Sequence, residues 1–252
     1  MKKTLIVASI VLAAFMLLSA SAFGAEIKLL ASNAVKEALD DLLPQFEKAS
    51  GHTVKTEWGG TPDITKRIAG GEVVDIIIIP ASGIDTLIKQ GRLATGGRTD
   101  FVKSFIGVAT RPGVPKPDIS SGEALKATLL AAKSIIISGG PSGNYLIGLF
   151  KRMGITDALY PKMKRLAPGM WVGEALANGE GDIGFTQVSE FLPIKGIVYI
   201  GPLPADVQSV TVFSLGLHSN APSRDGALSL IKFVTTFDAA VAIRKWGMEP
   251  AF

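Results

Sequence analysis

Trp58-Gly59-Gly60-Thr61-Pro62-Asp63-Ile64-Thr65-Lys66-Arg67-Ile68-Ala69-Gly70-Gly71-Glu72-Val73-Val74-Asp75-Ile76-Ile77-Ile78-Ile79-Pro80-Ala81 decides the fold. It reads as a strand end, a tight turn, a short helix, a second turn and a buried strand. The β-branched run over Val73–Ile79 is that of a parallel strand covered on both faces. In the first turn, Gly59 and Gly60 allow the backbone to approach a ligand closely. Thr61 is placed as an N-cap and Pro62 at the first helical position, where a missing N–H costs nothing. Asp63 suits the positive end of the helix dipole. Such a turn aims free N–H groups outward and makes a cradle for an anion, although capping alone accounts for the same residue types.

The N-terminus sets the compartment. Lys2 and Lys3 precede an apolar stretch over Thr4–Leu18, which is shorter than a membrane-spanning helix, and then Ser19-Ala20-Ser21-Ala22. Residues 1–24 therefore read as a cleaved signal peptide and the product as periplasmic. The formal net charge is +4, from 26 basic and 22 acidic residues; without Lys2 and Lys3 the balance is 24 against 22. No basic run remains, so nucleic-acid binding has no electrostatic support. The chain has no cysteine, which removes disulfides and thiolate metal sites.

Outward from the opening stretch, Glu26–Ala31 reads as a strand. Asn33–Ser50 reads as an amphipathic helix capped by Ser32 or Asn33 and kinked or restarted at Pro44. Thr53–Trp58 is a second strand and Ile84–Gln90 a short helix. This alternation predicts an α/β domain with a mostly parallel sheet. Ligands of such sheets sit beyond the carboxyl ends of the strands, where Ser32, Gly59, Gly60, Thr61, Pro80 and Ala81 fall. The arrangement recurs later: a strand over Ser134–Ser138, the turn Gly139-Gly140-Pro141-Ser142-Gly143-Asn144, and a helix over Tyr145–Met153. Further strands are expected at Phe105–Thr110, Ile183–Thr186, Val198–Ile200 and Val210–Leu217, and the last helices at Asp225–Thr235 and Phe237–Trp246.

An ordered set of short motifs runs the length of the mature chain. Ala31-Ser32 ends the first strand. Ile68-Ala69-Gly70-Gly71 with Val74-Asp75-Ile76 and Pro141-Ser142-Gly143-Asn144-Tyr145 follow. Val172-Gly173-Glu174-Ala175-Leu176, Gly181-Asp182-Ile183-Gly184-Phe185 and Lys245-Trp246-Gly247-Met248 complete it. In this set the chain resembles the solute-binding proteins of ABC importers with the type II periplasmic fold, and within them the molybdate-binding group. The resemblance implies two lobes, each a mixed, mostly parallel sheet flanked by helices. Residues 25–108 with 210–252 form the first and 109–209 the second, joined by two crossing strands. It also implies a small anionic solute held between the lobes, an ABC permease as partner, a monomer, and neither cofactor nor metal.

By the same resemblance the ligand set is Ser32, Asn33, Gly60, Thr61, Ser142, Gly143, Asn144, Tyr145, Trp171 and Gln187. Two positions depart from the family pattern. Thr61 is the only hydroxyl in a turn that is usually serine-rich, and Gln187 stands where the family often has tyrosine. Glutamine offers an acceptor as well as a donor, and a fully ionised dianion has no proton to give it. These residues therefore favour a small organic carboxylate over molybdate or tungstate. His52 and His218 belong to no Ser–His–Asp arrangement, and the glycine turns match neither a P-loop nor a dinucleotide fingerprint. The expectation is a binding protein without enzymatic activity; a sensing module and a secreted hydrolase are the alternatives.

Overall fold

The computed structural model describes residues 24–252; the predicted signal peptide lies outside them except for its last residue. The strands are β1 (Glu26–Ser32), β2 (Thr53–Gly59), β3 (Ile76–Pro80), β4 (Leu93–Thr110), β5 (Ile135–Ile137), β6 (Met163–Arg165), β7 (Ile183–Gln187), β8 (Val198–Pro202), β9 (Val210–His218) and β10 (Glu249–Pro250). The helices are α1 (Lys36–Ser50), α2 (Thr61–Ala69), α3 (Ala81–Lys89), α4 (Gly122–Ala131), α5 (Pro141–Arg152), α6 (Thr156–Leu159), α7 (Val172–Ala177), α8 (Val188–Phe191), α9 (Arg224–Val234) and α10 (Ala239–Lys245).

The strand order is β2-β1-β3-β9-β4-β7-β5-β6, with β8 and β10 also on β4. β1 is parallel to β2 and β3, and β5 is parallel to β6 and β7. β9 and β4 run antiparallel between these sets. The β3 isoleucines alternate between two cores. Ile76 and Ile78 pack with α1 and α9, while Ile77 and Ile79 pack with α2 and α3. In the other lobe Ile135 and Ile137 face one core and Ile136 the other. Each strand is thus apolar on both faces because helices cover both, as the sequence run implied.

The 18-residue β4 carries the chain between lobes. Its first part, from Leu93 to Phe105, pairs with β9, and Ile106–Thr110 pairs with β7. Gln208, on the return crossing, clamps the handover. Its Oε1 accepts from the Ile106 N–H at 3.0 Å, and its Nε2 donates to the Ile106 carbonyl at 3.1 Å.

Three local expectations change. Thr61 is not the cap of α2: Gly60 holds the N-cap position in an extended conformation, so Thr61 is the first helical residue. α1 runs through Pro44, whose ring lies on the exposed face; one missing N–H leaves the apolar contacts of Leu42, Leu43 and Phe46 intact. β4 begins at Leu93 rather than Phe105. Gly96 at φ 72° and a register shift between Leu93 and Arg98 hide the strand from a periodicity reading.

His218 closes β9, 3% exposed, with Nδ1 accepting from the Asn220 N–H and Nε2 without a hydrogen-bond partner. Burial holds its pKa below the ordinary imidazole value and the Arg92 charge adds to this, while the Glu72 backbone and Asp75 act the other way. The native state therefore refuses a proton that the unfolded chain accepts. The resulting stability is full above about pH 6.5 and declines as the pH falls through the native value. Urea unfolding at pH 7.5 and 5.5 should show lower stability at 5.5, and His218→Gln should flatten that slope; an equal slope in the variant refutes the assignment.

Candidate functional site

The C-terminal ends of β1, β2, β5 and β7 converge on one cavity between the lobes. Its first-lobe wall is made by Ser32, Asn33, Gly60, Thr61 and Phe213. Its second-lobe wall is made by Ser138, Gly139, Gly140, Ser142, Gly169, Met170, Gln187 and Glu190. The N-termini of α2 and α5 open onto it from opposite sides; Pro62 and Pro141 carry no N–H and the Asp63 N–H donates to the Gly60 carbonyl, so α2 offers the Thr61 N–H and α5 those of Ser142 and Gly143. The enclosed volume is about 30 Å³, room for about two water molecules.

The hydroxyls in the cavity are positioned differently. Thr61 Oγ1 is buried and has no hydrogen-bond partner, a consequence of Gly60 taking over as the cap. A ligand acceptor would satisfy it. Ser142 Oγ and Ser138 Oγ are hydrogen-bonded to one another at 2.7 Å, and the Gly140 N–H donates to Ser138 Oγ. Ser32 Oγ receives a long bond, 3.4 Å, from the Ala34 N–H.

The lobes are closed on each other. A Cβ on Gly60 would stand 2.6 Å from the backbone N of Gly169, so only glycine permits this approach. Asn33 Nδ2 donates to the Gly169 carbonyl at 3.0 Å, and Ser189 Oγ donates to the Ala34 carbonyl at 2.7 Å. Asn33 thus lies in the cavity wall while its amide bridges the two lobes. Gln187 lies there too, but its Oε1 accepts from Ser104 Oγ at 2.8 Å. The acceptor that the sequence offered to a ligand is already used.

Four of the residues taken as ligands lie outside the cavity lining. Gly143 packs on the end of β5, where a Cβ would stand 1.9 Å from the Ser138 carbonyl oxygen. Asn144 Oδ1 accepts from Arg165. Tyr145 donates to the Val207 carbonyl at 2.9 Å and packs on the second-lobe core. Trp171 holds the N-cap position of α7.

Sequence reasoning missed Glu190. It lines the cavity from α8, where Thr186 Oγ1 and the Gln187 backbone hydrogen-bond its carboxylate. Burial pushes its pKa up, and those two hydrogen bonds offset only part of the rise. Among the described residues no Lys, Arg, His or Asp lines the cavity.

A family described as bacterial extracellular solute-binding protein matches residues 27–249. The chain belongs to the bacterial extracellular solute-binding protein family. The molybdate-binding protein ModA of Escherichia coli K12 is 23% identical over 207 residues, covering 78% of this chain and 79% of that protein. The periplasmic molybdate-binding protein of Azotobacter vinelandii superposes with a TM-score of 0.73 at 18% identity, covering 88% of this chain and 98% of that one. This places the member within the type II periplasmic fold. An aconitate isomerase of a Pseudomonas species is 34% identical over 255 residues, covering 98% of this chain and 96% of that protein. That relative, named for an isomerase activity and similar over its whole length, overturns the expectation of a protein without enzymatic activity.

Gly60→Ala tests the closure. The φ of −74° at Gly60 suits alanine, so the obstacle is the Pro168–Gly169 backbone together with the Pro168 ring. The variant should keep its circular dichroism, lose about 1–3 kcal/mol of stability and show a larger radius of gyration by small-angle scattering. Unchanged scattering and melting would remove this contact as the determinant of closure.

Proposed function

We propose that this solute-binding protein captures a small polycarboxylate between its lobes and isomerises it about a carbon–carbon double bond, with aconitate as the first substrate to try. The observation that carries the reading is the unpartnered Thr61 hydroxyl, set between two helix N-termini in a cavity without a cationic side chain. Such a wall holds negative charge by dipoles and hydroxyl protons. The 34% identical aconitate isomerase supports an organic polycarboxylate over an inorganic oxyanion. A tricarboxylate exceeds the closed volume, so it enters when the Gly60–Gly169 contact parts and the lobes hinge at the Phe105–Ile106 handover.

Delivery of the same anion to an ABC permease is a second reading, supported by the molybdate-binding relatives. Both cavity walls come from one chain, which supports a monomer as the working unit. The signal-like residues 1–24 support a periplasmic location.

The purified protein, given trans-aconitate, should form cis-aconitate by proton NMR, and aconitate should raise its melting temperature by linkage. A melting shift with molybdate or tungstate alone, without turnover, would overturn the polycarboxylate reading. Thr61→Ala and Ser142→Ala should each raise the aconitate Kd about tenfold, the loss of one hydrogen bond of roughly 1–1.5 kcal/mol. Unchanged affinity in both would take them out of the site.

A further inference from the structure

The isomerisation needs a group able to hold a proton, and the cavity contains one. The geometric isomers of a propene tricarboxylate differ about a C=C bond, whose π component must be interrupted before the geometry can change. A nucleophile can add to the double bond and later leave, or a proton can leave the adjacent methylene so that the π electrons spread over three carbons. The first route is served best by a thiolate, and this chain has no cysteine. Of the serine hydroxyls of the cavity, Ser138 and Ser142 are bonded to each other and Ser32 Oγ receives only the Ala34 N–H, so none is held by a base. The second route needs a Brønsted base within reach of carbon. Glu190 is the only ionisable side chain in the lining among the described residues.

We propose that Glu190 is the catalytic base and acid of this isomerisation, taking a proton from the methylene carbon of the bound tricarboxylate and returning it to the former vinylic carbon. The proposal rests on the isomerase reading above and names the residue that performs it. In the first step a C–H bond breaks and an O–H bond forms on Glu190. The electron pair enters the three-carbon system and the carboxylates conjugated with it. In the second step that O–H bond breaks, a C–H bond forms at the other terminal carbon, and the double bond reappears one position along in either geometry. Atoms and electrons balance with no oxidant, reductant or co-reactant.

The surroundings suit both steps. Thr61 Oγ1 and the first-turn amides of α2 and α5 can hold the carboxylates on which charge accumulates in the intermediate. Thr186 fixes the Glu190 carboxyl from the end of β7, acting as a positioning residue. Burial strengthens the base, since a carboxyl whose neutral form is favoured binds an abstracted proton more tightly than an exposed glutamate does. Phe213, buried, completes the wall with apolar surface that limits water at the carbanion-like intermediate.

Wild type, Glu190→Gln and Glu190→Asp are compared in three measurements: turnover of trans-aconitate, deuterium uptake at its carbons in D₂O, and the melting shift given by propane-1,2,3-tricarboxylate, which has no double bond to move. Wild type should turn over and take up deuterium. Glu190→Gln should lose at least about 100-fold in turnover and in exchange while its melting shift with the saturated tricarboxylate persists. Glu190→Asp keeps a carboxyl on a shorter stem and should retain slow exchange. Wild-type turnover with Glu190→Gln, or with Glu190→Ala should the glutamine variant not fold, within about threefold of it refutes the role of Glu190 and leaves the isomerase reading standing. A wild type that is stabilised by the saturated probe yet neither isomerises nor exchanges refutes the isomerase reading itself.

Discussion

The backbone of Gly60 lies against that of Gly169, and the character of the cleft follows from that approach. It brings the start of α2 on one lobe towards the start of α5 on the other. Each N-terminus carries a partial positive charge of about one half, so the facing pair repel in an empty cleft. An anion between them turns the repulsion into attraction from both sides. The cavity needs no lysine or arginine for this, and none among the described residues lines it. Polar groups fixed by the fold also need little reorganisation when the ligand arrives, unlike long cationic side chains.

The same approach constrains how the cleft opens. Both walls belong to one continuous set of ladders, because β4 pairs with β9 in the first lobe and with β7 in the second. The lobes cannot slide apart without breaking those ladders. They can rotate about the handover, where Gln208 holds the Ile106 peptide from the returning segment. The interlobe bonds of Asn33 and Ser189 lie away from this pivot, at the cavity wall and behind it, and they yield first. Opening therefore loosens a few hydrogen bonds, the Gly60–Gly169 contact and the packing of Gly247 on Val188, and the hydrophobic cores of both lobes stay whole.

The fold was legible where burial on both faces writes itself into consecutive residues. Ile76–Ile79 and Ile135–Ile137 could be read as covered strands because every residue in them reaches a core. The first half of β4 was not legible, since Thr95-Gly96-Gly97 interrupts its pattern and partners distant in sequence hold it. In the site, Ser32, Thr61, Ser142 and Gln187 could be read because a strand end followed by a helix start places them at the cavity. Asn144 and Tyr145 were taken with Ser142 as one motif, but a helix turns about 100° per residue. Two and three positions on, the side chains point to Arg165 and to the second-lobe core. Glu190 had no such signal. It stands on a one-turn helix after β7, and only the folded chain brings it to the cavity.

A carboxyl group is out of place in a receptor built only for anions. Two like charges about 4 Å apart near a protein surface repel by on the order of 4 kcal/mol, a loss that a neutral side chain at the same place would avoid. Glu190 escapes part of it because burial raises its pKa. Capture of a solute gains little from such a group. A reaction that must store a proton between two carbons gains a great deal, because the donors around the cavity can stabilise charge but cannot carry the proton. The difference between holding an unsaturated polycarboxylate and isomerising it then lies in one side chain whose charge changes during the reaction. Glu190, the one ionisable side chain in the cavity wall among the described residues, is the group proposed for that part.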